Sequence, residues 1–183
     1  MNSKPILIVA GEPKSVFFEI LFKSIKRKNF KSPLIIICSK KLINIHIIKN
    51  KITKKILCLN SGSLKNKKLN NKFINIIDID YSIKDPESYI KKSFDVAFKI
   101  IKRGITSKLI NGPISKKKFL KGKFPGITEY VANAFKSKKN AMLIYNKNLS
   151  VCPITTHIPL KNVSNIIKKR DIIDKVTLIN NFY

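Results

Sequence analysis

Unbroken apolar runs, separated by polar punctuation, set out the plan of this chain. Pro5 to Ala10 contains no polar side chain and is followed by Gly11 and Pro13. Such a run predicts a strand buried on both faces that ends in a turn. Ser15 then stands ahead of a segment from Val16 to about Lys26. In it Phe17, Ile20, Leu21 and Ile25 share one helical face, with the serine placed to cap it. Pro33 to Cys38 repeats the first apolar run. Strand, helix and strand at this spacing form a βαβ unit, so the fold class is α/β with a parallel or mixed sheet.

Beyond Cys38 the pattern is less regular. Ile45, Ile47 and the run Ile56 to Leu59 predict short strands, Asn60 to Ser63 a turn, and Phe73 to Ile77 a further strand. Asp85-Pro86-Glu87 marks the clearest helix start, with aspartate as cap and proline in the first turn. Ile90, Phe94, Ala97, Phe98 and Ile101 make its apolar stripe, and Gly104 ends it. Leu109 to Asn111 predicts a brief strand, and Gly112-Pro113 a turn into a short helix. Thr128 is placed to cap a helix running to about Phe135. Ala141 to Tyr145 predicts a buried strand, and Asp171 to Asn180 an amphipathic segment. There is no internal repeat, no P-loop and no G-x-G-x-x-G fingerprint.

Charge changes the picture less than its size suggests. Lys+Arg 38 against Asp+Glu 10 gives a formal net charge of +28, which points toward nucleic acid or an acidic surface. Yet arginine, the bidentate reader of bases and phosphates, occurs only at Arg27, Arg103 and Arg170. The lysines are scattered among asparagine and isoleucine, all three encoded by A/T-rich codons, and scattered charge forms a solvated face. A nucleic-acid partner is therefore not expected. The 44% hydrophobic content supports a real core. Cys38, Cys58 and Cys152 form no CxxC pair; Cys38 and Cys152 lie in apolar runs and read as buried thiols. No apolar run reaches the ~20 residues of a membrane helix, and no secretory leader is read in Met1 to Ala10. A reducing cytoplasm is expected.

Candidate chemistry sits in two loops. Gly112-Pro113-Ile114-Ser115-Lys116 follows a strand, where helix-start N–H groups and a lysine ammonium can bind an anion; an ordinary strand-to-helix turn reads the same way. His157 stands in Thr155-Thr156-His157-Ile158-Pro159-Leu160. A neutral imidazole beyond a strand end can hold a metal or move a proton, and a hydrogen-bonded loop histidine is the plainer alternative. His46, among lysines, reads as structural or solvent-facing.

Taken in order, Gly11-Glu12-Pro13, Asn111 to Lys116, Phe124-Pro125-Gly126-Ile127-Thr128-Glu129 and Thr155 to Leu160 resemble the amino-terminal part of the 4-hydroxythreonine-4-phosphate dehydrogenase family. The resemblance implies an isocitrate/isopropylmalate dehydrogenase-like α/β/α architecture with a mixed sheet, here truncated. Residues 1–138 would form most of a first domain and 139–183 the start of a second. It implies NAD- or NADP-dependent, divalent-metal-dependent oxidation of 4-phosphooxy-L-threonine with decarboxylation to 3-amino-2-oxopropyl phosphate, in pyridoxal 5'-phosphate (vitamin B6) biosynthesis. The metal would be zinc, magnesium or cobalt, and the protein a cytoplasmic homodimer acting on a small phosphorylated substrate.

Residue by residue, the resemblance makes His157 one of the family's metal-binding histidines and Thr128 a substrate contact. Ile127 stands where the family has a substrate-contacting histidine, and Lys116 is placed to face the phosphate by position. No residue is assigned to the cofactor or to the catalytic step itself. The family loop after Gly-Glu-Pro is glycine-rich, whereas Lys14 to Glu19 here is bulkier. The family's two further metal histidines lie downstream of this region, so the chain alone is expected to be inactive. It would be a fragment, a truncated product, or one part of an enzyme completed by a separate chain. Dehydrogenases of other hydroxy acids or dihydrodiols are the alternative within the same chemistry, and a basic nucleic-acid-binding protein the alternative outside it.

Overall fold

The structure, a computed structural model, describes residues 3–137 and 139–183. The chain divides into two compact units, Met1–Phe119 and Leu120–Tyr183.

The first unit is built on a five-stranded sheet of β1 (Ile6–Val9), β2 (Leu34–Cys38), β3 (Ile56–Cys58), β4 (Ile74–Asp78) and β5 (Leu109–Asn111), in the order β3-β4-β2-β1-β5. All pairings among these five strands are parallel, not mixed. Parallel strands need covering on both faces, and the run Leu34–Cys38 is buried along its whole length. Ile8, Ala10, Leu34, Ile36, Cys38, Ile74 and Ile76 form one face of the core with Phe17, Phe18, Leu21, Phe22 and Ile43 from α1 (Phe17–Arg27) and α2 (Lys40–Lys49). Leu7, Val9, Ile35 and Ile37 alternate with these residues and are buried on the opposite face. That side meets α3 (Pro86–Lys102), which contacts β1 and β2 and buries Tyr89, Ile90, Phe94, Ala97, Phe98 and Ile100.

Several expectations change. Ile45 and Ile47 lie in helix α2, not in a strand. β2 and β3 both run parallel to β4, so the chain between them must return across the sheet, and α2 provides that return. The buried face of α1 is Phe17, Phe18, Leu21 and Phe22, while Ile20 is exposed. The larger aromatic rings take the core positions, and Phe18 stacks on His46 at 4.7 Å. That imidazole is held below its ordinary pKa by burial and then by Lys49, so at neutral pH it is an uncharged packing residue. Burial pushes the Cys38 thiol well above its ordinary pKa, with Asp78 adding to the shift. Cys152 is only partly buried, and Cys58 is exposed.

The Asp85 cap is present: its carboxylate accepts the Ser88 N–H at 3.0 Å. Asp85→Ala is expected to cost about 1 kcal/mol, measured by urea unfolding, because that donor loses its partner.

The second unit contains α5 (Ile127–Ala134), α6 (Val163–Ile166) and α7 (Lys169–Asn180), with α4 (Lys116–Leu120) at its border. Its described residues bury only Leu120 and Gly126. Ala141 to Tyr145 is not a buried strand. Ile144 makes one antiparallel bridge to Val151, and Ile144 and Tyr145 are exposed. Lys139 pairs with Asp174 at 3.1 Å, and Lys175 donates to the Asn140 carbonyl, tying α7 to the start of this segment. No described helix is long and apolar enough to cross a membrane.

Candidate functional site

Polar residues of interest gather at one place in each unit. In the first, β5 lies on one side of β1 and the remaining strands on the other. Where the strand order reverses, the loops at the carboxyl ends part and open the crevice typical of α/β ligand sites. Here the crevice is laced shut at its base. Gly112 N–H donates to the Val9 carbonyl at 2.7 Å and Glu12 N–H to the Pro113 carbonyl at 2.9 Å. The Glu12 carboxylate accepts the Ser115 N–H at 2.9 Å. An internal carboxylate therefore already occupies the amide that the sequence offers to a bound anion. Lys116, the first residue of α4, keeps its side chain exposed. Beyond the strand ends, Glu12, Lys14, Tyr81, Glu87, Lys118 and Phe119 border a cavity of about 230 Å³.

In the second unit the loop Phe124 to Gly126 leads into α5, with the Phe124 and Tyr130 rings edge to face at 5.6 Å. The helix cap is Gly126, in extended conformation, not Thr128. Thr128 lies inside the first turn with an exposed side chain, and Ile127 is half-buried. His157 comes to this loop from the segment that precedes α6. A Cβ placed on Gly126 would stand 2.7 Å from Glu129 Oε2 and 3.8 Å from His157 Nε2. The Glu129 carboxylate thus takes up the room that a side chain at Gly126 would need, with His157 in van der Waals reach of the same point. His157 is exposed and has φ 60, in the left-handed region. Non-glycine residues seldom adopt that region, although histidine does so more often than most.

Among the described residues no group of three or more His, Cys, Asp or Glu side chains could hold a metal ion. The structure brings His157 near Gly126, the cap of the helix that carries Ile127 and Thr128, and places Lys116 in the other unit. Glu12 and Glu129 carry no distinguishing signal in the sequence beyond their places in short motifs; only the folded loops bring them into play.

The family described as Pyridoxal phosphate biosynthetic protein PdxA matches residues 29–183. The chain belongs to the PdxA family. This PdxA chain is 31% identical over 188 residues to a 4-hydroxythreonine-4-phosphate dehydrogenase of Sulfurihydrogenibium sp. (strain YO3AOP1), covering 96% of this chain and 56% of that protein. It is 48% identical over 56 residues to the protein of that name from Aquifex aeolicus (strain VF5), covering 31% of this chain and 18% of that one. A crystal structure of 4-hydroxythreonine-4-phosphate dehydrogenase from Klebsiella pneumoniae superposes with a TM-score of 0.78 at 20% identity, over 98% of this chain and 58% of that one. One from Burkholderia phymatum gives a TM-score of 0.76 at 18% identity, over 96% and 57%. The architecture is the isocitrate dehydrogenase-like fold of PdxA dehydrogenases. The chain spans little more than half the length of the relatives it matches.

Proposed function

We propose that this PdxA chain forms part of an NAD(P)-dependent, divalent-metal-dependent dehydrogenase. It would oxidise 4-phosphooxy-L-threonine with loss of carbon dioxide to 3-amino-2-oxopropyl phosphate. The observation that carries the reading is the approach of His157 to the loop that starts α5: its Nε2 would lie 3.8 Å from a Cβ on Gly126, in the segment that carries the exposed Thr128. His157 would supply a neutral imidazole to the cation. When bound, a divalent cation lowers the pKa of an alcohol and polarises the ketone that follows. Thr128 would offer its hydroxyl to the substrate as both donor and acceptor. Lys116 would set an ammonium against the phosphate. The nicotinamide nucleotide is given no residue of this chain, since Gly11 and Gly112 are both taken up in holding two loops together.

In this reading residues 1–138 supply most of one α/β/α domain and 139–183 the start of the next, within a homodimer. Ile127 favours a second reading of the substrate. Its half-buried side chain cannot hydrogen-bond where the family histidine would, so a related hydroxy acid or dihydrodiol with an apolar group at that point would fit better.

The test follows nicotinamide reduction at 340 nm with 4-phosphooxy-L-threonine and a panel of hydroxy acids and dihydrodiols, before and after chelation. The polypeptide should carry both this chain and the remaining family length. Chelator-sensitive turnover of one of these alcohols is expected, and none from the 183-residue chain alone. A family-length protein that reduces no nucleotide with any of them would overturn the reading.

A further inference from the structure

We propose that the cavity at the amino ends of β2 and β4 binds a small amphipathic anion, an apolar body that carries one acid group. The cavity measures about 420 Å³, within the range of small-molecule sites, about 300–1,000 Å³. Leu34 and Ile74 line it and are the first residues of their strands. It therefore lies at the opposite end of the sheet from the crevice bordered by Glu12 and Lys118, and its ligand would not compete with a substrate bound there. Its apolar wall is the α1 face of the core: Leu34, Ile36 and Ile74 from the sheet, and Ile25 from the last turn of α1. The helix stops at Arg27 and Lys28 is already extended, so no further turn of α1 fills the volume past Ile25. Asn71 fixes the loops around it. Its Nδ2 donates to the Phe30 and Ser32 carbonyls at 2.8 and 2.9 Å, and its Oδ1 accepts the Leu34 N–H at 2.9 Å.

The charged lining has one sign. Lys28, Lys54 and Lys72 border the cavity, and no Asp or Glu does so among the described residues. Lys54 is half-buried, and its ammonium is steered by a 3.0 Å bond to the Asn71 carbonyl. An ammonium has three hydrogens to donate, so the same group can also meet an acid group. Phe73 borders the cavity with 41% of its surface exposed, and an apolar body would cover that ring. The plainer alternative is a hollow ringed by solvated lysines, in a chain with Lys+Arg 38 against Asp+Glu 10. Ligand binding separates the two.

The chain has no tryptophan, so Phe73→Trp places a single fluorophore at the opening. Octanoate titrated into this variant should shift the emission to the blue and saturate. It should also raise the melting temperature of the unaltered chain over the same concentrations. 1-Octanol, the same body without the charge, should bind about tenfold more weakly. Adding Lys54→Met should weaken octanoate by a similar factor and leave octanol unchanged. Lys91→Met, at an exposed position of α3, should alter neither. Ile25→Phe should fill the cavity and abolish the response to both compounds, with an unchanged circular dichroism spectrum. Neither an emission shift nor a rise in melting temperature with octanoate would overturn the site. Equal affinity for octanol and octanoate, or full octanoate affinity in Lys54→Met, would overturn the acid group. Full octanoate affinity in Ile25→Phe would overturn the assignment to this cavity.

Discussion

Gly112→Ala is expected to destabilise the first unit by about 3 kcal/mol, at the upper end of what overpacking usually costs. The added Cβ would lie 2.1 Å from the Ala10 carbonyl oxygen and 2.8 Å from Phe17 Cδ2. Neither obstacle is the loose end of a side chain. The first belongs to the backbone just past β1, and the second to a ring buried in the core. Relief would have to come from parting β1 and β5, which would break the 2.7 Å hydrogen bond from Gly112 N–H to the Val9 carbonyl. Gly104→Ala is the natural comparison. Gly104 has φ +73 but open space around it, so alanine there meets only the backbone penalty of roughly 1–2 kcal/mol. Thermal melting should separate the two, with Gly112→Ala lower by several degrees. A loss no larger than that of Gly104→Ala would show that the two loops do not meet as closely as described.

The same two loops show why some of the fold could be read from the chain and some could not. Runs such as Ile6–Val9 and Leu34–Cys38 are legible because both faces are buried, so every position must be apolar. The start of α3 is legible because its cap is a local chemical event between Asp85 and Ser88. Helix α2 is not. Ile43, Ile45 and Ile47 alternate as a strand would, and only the parallel pairing of β2 and β3 with β4 demands a helix there. Ala141 to Tyr145 fails for the opposite reason. Its composition suits a strand, but a strand exists only beside a neighbour, and within the described chain Ile144 finds only Val151. In the candidate site, His157 stands out in sequence through the company of Thr155, Thr156 and Pro159. Glu129 does not, because its approach to Gly126, which His157 also nears, depends on how the loops fold.

His157→Ala, made in a polypeptide of full family length, is expected to lower kcat/KM by about 10³-fold or more, equivalent to roughly 4 kcal/mol of transition-state stabilisation. Loss of one imidazole donor should remove most of the charge stabilisation that a bound cation gives the reaction. The backbone supplies a sharper version of the test. His157 holds φ 60, a conformation that costs a non-glycine residue roughly 1–2 kcal/mol and that tends to be kept where function needs it. Glycine takes this conformation without that cost. His157→Gly should therefore be as inactive as the alanine variant while melting no lower than the wild type. Rising stability with vanishing activity would mark His157 as a residue held against the preference of its own backbone for the sake of its ring. A glycine variant that melts markedly lower would assign the imidazole to packing. One that keeps full activity would remove His157 from the chemistry.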